Sequence, residues 1–333
     1  MNKLLTISVA AYNVEPYLPK LLDSIVNAEN KEKVEVLVVN DGSKDKTAKI
    51  TEEYAKKNPT IVRLVNKENG GHGSTINKGI EEAAGKYFRA LDGDDWLNTV
   101  SLDLILKRLE TEDSDIVLSD YINCYEQGED KVDSFENLED GKEYDFDALS
   151  AKIRWMRYHT VIYKTSILKD YNIKLDEHCF YVDSEFMLLP IPFVNTIRYY
   201  KLSLYCYRLG LEGQSVSPES RIKHKDDSFK VANRLLDFYQ VLPEDMTDPK
   251  RKYITDGIAA HMLWHFKTIL MCETNAENKA ELKRFDQDIK ARAPQVFEAM
   301  NTFKDSSTLI KMARSMNYNM YFLASTLKRI KER

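Results

Sequence analysis

Lys86-Tyr87-Phe88-Arg89-Ala90-Leu91-Asp92-Gly93-Asp94-Asp95 is a largely apolar run that stops abruptly on three carboxylates. Residues 86–91 read as a strand, short and mostly apolar, ending where polar residues begin. Three carboxylates this close repel one another, and a divalent cation with oxygen ligands, magnesium or manganese, relieves that repulsion. Gly93 between them lets backbone approach a ligand closely. The plainer alternative is a solvated acidic turn in which Asp94 or Asp95 caps the next helix.

Working upstream, the same alternation repeats. Leu5–Ala11 reads as a strand, and Pro16 suits the first turn of a helix whose Leu18, Leu21, Leu22 and Ile25 share one face. Val34–Asn40 is a nearly continuous apolar strand. A helix over 45–57, a strand over 61–65 and a helix over 72–84, closed by Gly85 as a C-cap, complete the series. Downstream, a helix over 100–110 leads to a strand over 114–119. This β-α-β-α order predicts a parallel sheet with right-handed crossovers, and ligands gather beyond the carboxyl ends of such strands. Two further polar clusters fall at those ends. Asn40-Asp41-Gly42-Ser43 offers Asp41 to a base or ribose, or is simply a turn capped by Ser43 or Asp45. Asn69-Gly70-Gly71-His72-Gly73-Ser74 offers backbone N–H groups to an anion at a helix start. It matches neither GxGxxG nor the P-loop pattern.

Bulk properties narrow the class. The chain has 333 residues, 43% hydrophobic and 30% charged, enough for a packed core, and its net charge of −5 argues against a nucleic-acid partner. Cys124, Cys179, Cys206 and Cys272 are scattered, with no CxxC spacing for zinc, and read as reduced thiols in a cytoplasmic protein. The apolar run after Lys3 reads as a buried first strand rather than a signal peptide, and no stretch is long enough to span a membrane. Residues 121–147 are acidic and irregular, a loop or hairpin excursion. Short strands are expected at 196–200 and 204–209, and helices from Pro218 onward.

Four segments in order carry a resemblance. Ser8-Val9-Ala10-Ala11-Tyr12-Asn13, Val38-Val39-Asn40-Asp41-Gly42-Ser43, Asn69-Gly70-Gly71 with Asn77 and Gly79, and Leu91-Asp92-Gly93-Asp94-Asp95 resemble family-2 glycosyltransferases of the GT-A fold. Tyr181-Val182-Asp183-Ser184-Glu185-Phe186 resembles the segment that holds that family's general base, and Tyr205 to Ser217 is a looser sixth match. Asn40, Ile76 and Val182 depart from the residues common in the family. The resemblance covers about 1–220 and nothing in 221–333.

The resemblance implies an α/β fold of the nucleotide-diphospho-sugar transferase type: a Rossmann-like, mostly parallel sheet with helices on both faces, plus a C-terminal helical subdomain. Residues 1–120 would be the nucleotide-sugar-binding half, 121–220 the acceptor-binding half and 221–333 the helical part. It implies an inverting, metal-dependent transfer of a sugar, from a UDP-sugar, to a hydroxyl of a glycan, lipid-linked or protein-linked acceptor in polysaccharide assembly. The alternative is a catalytically inactive sugar-nucleotide-binding subunit. Ala10, Ala11, Tyr12, Asp41, Asn69, Gly70, Asp92, Gly93 and Asp94 would bind the nucleotide sugar. Asp94, of the DxD motif, and Asp95 would hold Mn2+ or Mg2+. Asp183 would be the base, with Glu185 in reserve; a helix N-cap is the plain reading of Asp183.

Trp155, His159 and Arg208 are the candidate acceptor contacts, since sugar rings stack on aromatic faces; a core tryptophan flanked by solvated arginines is the other reading. His178 and His224 are remote candidates for the metal shell, and His261 with His265, four apart, read as a structural pair. In the tail, Ala313, Met316, Met320, Leu323, Leu327 and Ile330 follow heptad spacing, and residues 309–333 carry six cations against Glu332. That seam is expected to pack internally, to join subunits into a homo-oligomer, or to sit on an anionic membrane at the cytoplasmic face.

Overall fold

The computed structural model describes residues 3–210, 214–303 and 307–331. Residues 211–213 of the Tyr205–Ser217 match, and Glu332 and Arg333 of the basic tail, lie outside the described residues. Contacts divide the chain into two units: Met1–His178 with Phe193–Leu211, and Cys179–Pro192 with Glu212–Arg333.

The first unit opens β1 (Leu5–Ala11), α1 (Leu18–Val26), β2 (Val34–Asn40), α2 (Thr47–Lys57), β3 (Val62–Asn66), α3 (His72–Glu82) and β4 (Tyr87–Asp92). Leu5, Ile7 and Val9 of β1 and Val34, Val36 and Val38 of β2 are wholly buried, which is why their apolar runs read as strands to the residue. Pro19, not Pro16, occupies the first turn of α1. Ala83, not Gly85, is the C-cap of α3; a Cβ at Gly85 would come within 2.5 Å of Thr6 N, so glycine is needed there for close approach to β1.

Then come β5 (Trp96–Leu97), α4 (Thr99–Leu109), β6 (Ile116–Tyr125), β7 (Lys131–Asp133), β8 (Glu143–Asp145), α5 (Phe146–Ser150), β9 (Val161–Lys164), α6 (Thr165–Asp170) and, after α7 (Asp183–Leu188), β10 (Thr196–Leu209). The strand order is β3-β2-β1-β4-β9-β6-β10-β5, with β7 on β6 and β8 on β10. The β3-β2-β1-β4 side is parallel throughout. β9 enters antiparallel between β4 and β6, so the whole sheet is mixed. The acidic excursion contains the β6–β7 hairpin pairing. The two strands expected at 196–200 and 204–209 are one strand whose register on β6 shifts between Tyr200 and Tyr205.

The second unit is helical: α7, α8 (Pro218–Lys223), α9 (Lys225–Gln240), α10 (Asp248–Met271), α11 (Ala276–Arg292), α12 (Pro294–Met300), α13 (Ser307–Tyr318) and α14 (Tyr321–Lys331). Val231, Leu235, Ile258, Met262, Phe266, Leu282, Ile289 and Val296 form part of its buried interior. The heptad seam does not exist as one face. Ser315, Met316 and Asn317 leave helical geometry, with Met316 and Asn317 at φ of 48° and 58°, and the helix breaks there. The buried positions are Ala313, Tyr318, Tyr321, Ala324, Ser325 and Lys328, while Met316, Leu323, Leu327 and Ile330 are exposed. Arg314 is used internally, gripping the buried Asp286 through two bonds of 2.7 and 2.6 Å. Among the described residues, no helix is long and apolar enough to cross a membrane.

Candidate active site

Parallel register brings the strand ends level. Ala10 of β1 lies opposite Val39 and Asp92, and Ala11 opposite Asn40. The polar residues that follow therefore share one edge: Tyr12, half exposed, after β1; Asp41 after β2; and the 92–95 turn after β4. Asp41 is buried and its N–H donates to Ala11 O at 2.9 Å. Its carboxylate collects five donors: Lys67 Nζ at 2.8 Å, Gly70 N at 2.9 Å, Gly71 N at 2.8 Å, Asn69 Nδ2 at 3.1 Å and Ser74 Oγ at 3.3 Å. Asp41, Asn69 and Gly70 are thus one structure. The glycine N–H groups that the sequence offers to an anion are spent on Asp41, and Asp41 holds that loop down. Lys67 completes the cluster; sequence reasoning passed over it, although a lysine just past β3 and before the glycine run was a signal.

The 92–95 turn is fitted against β1 and β10. A Cβ at Gly93 would come within 2.6 Å of Ala10 O and 2.9 Å of Val14, so the close approach Gly93 permits is to the chain's own first strand. Asp95 is buried, accepting from the Tyr205 hydroxyl at 2.6 Å and from Arg208 N at 2.7 Å. The Tyr205 oxygen also accepts from Asp92 N at 3.2 Å. Arg208 donates from Nε to Asp94 O at 2.8 Å and lies over the rings of Tyr17 and Trp96, each at 4.9 Å. Neither Asp94 nor Asp95 caps the next helix; Asn98 does, accepting from Ser101 N at 3.0 Å. Burial, then the charges of Asp92 and Asp94, push the Asp95 carboxyl well above the usual range, and burial raises Asp94 too. Burial and mutual repulsion thus work against full ionisation of the turn.

Asp92, Asp95 and His159 bring their donor atoms within 4.8 Å of one another; Asp94, expected to be the main ligand, is not in this group. The Asp92 carboxylate also accepts from the Tyr158 hydroxyl at 3.1 Å and has His72 Nε2 at 3.7 Å. His159 Nδ1 is buried without a hydrogen-bond partner. Burial, and then the charges of Arg89 and Arg157, lower its pKa to about 3, leaving the neutral imidazole that ligates metals. Tyr207 and Tyr121 stack on the ring at 4.2 and 5.1 Å, and Tyr205 meets it edge-on at 4.8 Å. Arg89, wholly buried on β4, donates to the His159 carbonyl and lies over Tyr205 at 5.1 Å. Two carboxylates and a neutral imidazole with an orphaned nitrogen fit a divalent cation. The sequence marked His159 only as an acceptor contact; nothing local shows the 3₁₀ turn 158–160 returning to the acidic turn.

Trp155 stands elsewhere in the first unit. It lines a cleft of about 570 Å³ with Phe135, Asn137, Lys152, Arg154 and Arg157. The other histidine candidates are not in the group: His178 donates its backbone N–H to Gly70 O, and His224 pairs with Asp227 at 2.9 Å.

In the second unit, Asp183 is exposed at the first position of α7. Val182, not Asp183, is the N-cap. Glu185 is wholly buried.

The sequence model for glycosyl transferase family 2 matches residues 6–171. EpsH of Bacillus subtilis, whose name describes a glycosyltransferase, is 31% identical over 210 residues, which cover 61% of this chain and 60% of EpsH. The matched stretch thus spans less than two thirds of that relative's length. The crystal structure of S. aureus TarS 1–349 in complex with UDP-GlcNAc is similar with a TM-score of 0.71 at 22% identity, over 99% of this chain and 92% of that one. Mannosyltransferase PcManGT from Pyrobaculum calidifontis, in complex with GDP-Man and Mn2+, is similar with a TM-score of 0.54 at 15% identity, over 100% of this chain and 88% of that one. At these identities the two structures speak to the fold, and the fold is GT-A with a helical C-terminal region.

Proposed function

Because this chain belongs to glycosyltransferase family 2, we propose that it moves a sugar from a nucleotide-sugar donor, a UDP-sugar, onto a hydroxyl of a glycan, lipid-linked or protein-linked acceptor, with inversion at the anomeric carbon. The observation that carries the reading is the 92–95 turn, in which Asp95 is buried and Asp92 and Asp94 are partly so. It crowds three carboxyl groups that resist ionising together, at the edge where β1, β2 and β4 end. A binding site for a cation and a diphosphate accounts for that cost; a solvated turn does not, since Asp95 is buried.

The roles follow from the residues. Tyr12, exposed beside the ends of β1 and β2, offers its ring to the base. Asp41 acts by holding Asn69 and Gly70 in place beside it, and Ala10, with Ala11 next along the strand, lines the donor side, where the Ala10 carbonyl meets Gly93. Asp92, Asp95 and His159 would hold Mn2+ or Mg2+, with Asp94 beside them on the same turn. The bound ion would supply positive charge for the departing diphosphate. Tyr205 and Arg208 keep the turn in shape from β10. Asp183 is the base that takes the acceptor hydroxyl proton as that oxygen attacks the anomeric carbon, and one base implies one displacement and inversion. Trp155 and its cleft are the candidate acceptor surface. Screening UDP-, GDP- and dTDP-sugars for release of free nucleoside diphosphate tests the reading. Turnover with a UDP-sugar in the presence of manganese is expected; a chain that binds such donors and releases nothing with any acceptor fits the inactive subunit instead.

A further inference from the structure

α7 has six residues, too few to hold its place without partners. Within the second unit it packs mainly on α10 and also on α9. Gly257, His261 and Trp264 of α10 are spaced four and three apart and so share one face. Each meets one residue of the segment that carries Asp183. The Trp264 and Tyr181 rings meet edge-on at 6.1 Å. His261 Nδ1 lies 2.9 Å from Ser184 Oγ. A Cβ at Gly257 would fall 2.5 Å from Leu188 Cδ2, so a side chain there would have to push the Leu188 tip aside. Residues 181, 184 and 188 rise as 264, 261 and 257 fall. The two segments form a three-rung antiparallel ladder with Asp183 between the first rung and the second.

The middle rung has a defined direction. His261 Nε2 lies 3.1 Å from Ser228 O, and a carbonyl only accepts, so the ring proton is on Nε2. Nδ1 is then an acceptor and the Ser184 hydroxyl donates to it. The ring is buried, which keeps it neutral and in this tautomer. Just ahead of the helix, Tyr181 takes a left-handed φ of 69°, unusual for a bulky side chain, with its hydroxyl donating to Ser215 O at 3.2 Å. The backbone entering Asp183 is therefore held in a conformation it would not choose alone.

We propose that α10 is the positioning element for Asp183, and that His261, acting through Ser184, is a positioning residue that fixes the first turn of α7 and with it the direction of the Asp183 carboxylate. This rests on the reading of Asp183 as the base, and gives the helical unit a part in the transfer.

The test compares Asp183→Asn, His261→Leu, His261→Asn, Ser184→Ala and the Asp183→Asn/His261→Leu pair, assayed with the best donor of the panel well below each variant's melting temperature. His261→Leu is expected to lower kcat about 10–100-fold, the scale of a misplacement near 1 Å, with donor KM and UDP affinity within twofold. His261→Asn, whose amide oxygen can accept from Ser184, is expected to recover most of that loss. Adding His261→Leu to Asp183→Asn should cost nothing more, since one acts through the other. Ser184→Ala removes the same bond from the other side if His261→Leu fails to fold. Wild-type kcat in His261→Leu or Ser184→Ala, or an equal further loss in the pair, overturns the positioning role. Full activity in Asp183→Asn overturns the base assignment instead. Independently of turnover, imidazole nitrogen NMR should show His261 protonated at Nε2 alone; a proton on Nδ1 contradicts the ladder.

Discussion

In the first unit, polar groups stand where parallel strands run out. Ala11, Asn40 and Asp92 end their strands level, and the residues after them turn toward one edge, satisfied by loop N–H groups and by Tyr205, Arg208 and Lys67. In the second unit, the polar groups lie inside helices. His261 and His265 are buried in α10, and both nitrogens of His265 lack a hydrogen-bond partner. The first arrangement brings carboxyl groups together at one edge of the sheet. The second fixes one helix on another with directed bonds to buried groups, as from Ser184 to His261 and from Arg314 to Asp286.

The sharpest way to break this contrast is Asp183→Asn. Turnover should fall about 10²–10⁴-fold, the contribution of a positioned base, with UDP affinity in calorimetry unchanged. Loss of UDP binding would mean that Asp183 belongs with the groups that hold nucleotide.

The next concerns acid. Burial lowers the His261 pKa to about 4 and the His265 pKa to about 3, from an ordinary 6.5. Both are neutral when folded, while the unfolded chain takes up protons below about pH 6.5. Their stabilising contribution is therefore complete above that pH and shrinks as pH falls toward 4 and then 3. The loss should reach a few kcal/mol, since each histidine forfeits about 1.4 kcal/mol for every pH step of one between its unfolded and folded pKa. His265→Phe, which keeps a ring against Phe285 at the 4.6 Å contact, should flatten the acid limb of a denaturation profile. An unchanged limb would show that His265 is not buried neutral.

Tyr205→Phe removes the bond to the buried Asp95 carboxyl and the acceptor for Asp92 N. It should cost about 1–3 kcal/mol of stability, read by urea denaturation, because buried polar groups lose a partner. Tyr12→Ala should be milder for the fold, within about 0.5 kcal/mol, since the side chain is exposed. Its UDP affinity should fall by about 1–3 kcal/mol, the worth of one base stack. An unaffected affinity would remove Tyr12 from the base pocket.

The contrast also explains what could be read in advance. β1 and β2 were legible to the residue, because fully buried parallel strands leave continuous apolar runs and their ends leave polar clusters. The order of Asp41, Asn69 and Asp92–Asp95 followed from those ends. β9 was not legible: four residues, Val161–Lys164, gain strand character only from β4 and β6, far away in sequence. The approach of His159, read from the sequence as an acceptor contact, to Asp92 and Asp95 was not legible either, since the turn that carries it runs directly into that inserted strand. In the second unit, internal packing of the 313–330 seam, one of the outcomes its spacing allowed, does not hold for Met316, Leu323, Leu327 and Ile330, because a break at Ser315–Asn317 turns the following helix to bury Tyr321, Ala324 and Ser325 instead. The pairing of His261 with Ser184 left no local pattern at all.

A cation at the 92–95 turn is best probed by calorimetry of UDP binding, with and without manganese, to the native chain and to Asp92→Ala. The native chain should bind at least about tenfold more tightly with manganese, some 1.4 kcal/mol, and Asp92→Ala should lose that gain while remaining folded. Equal native affinity with and without the ion, or a full manganese gain in Asp92→Ala, would contradict a cation held at that turn.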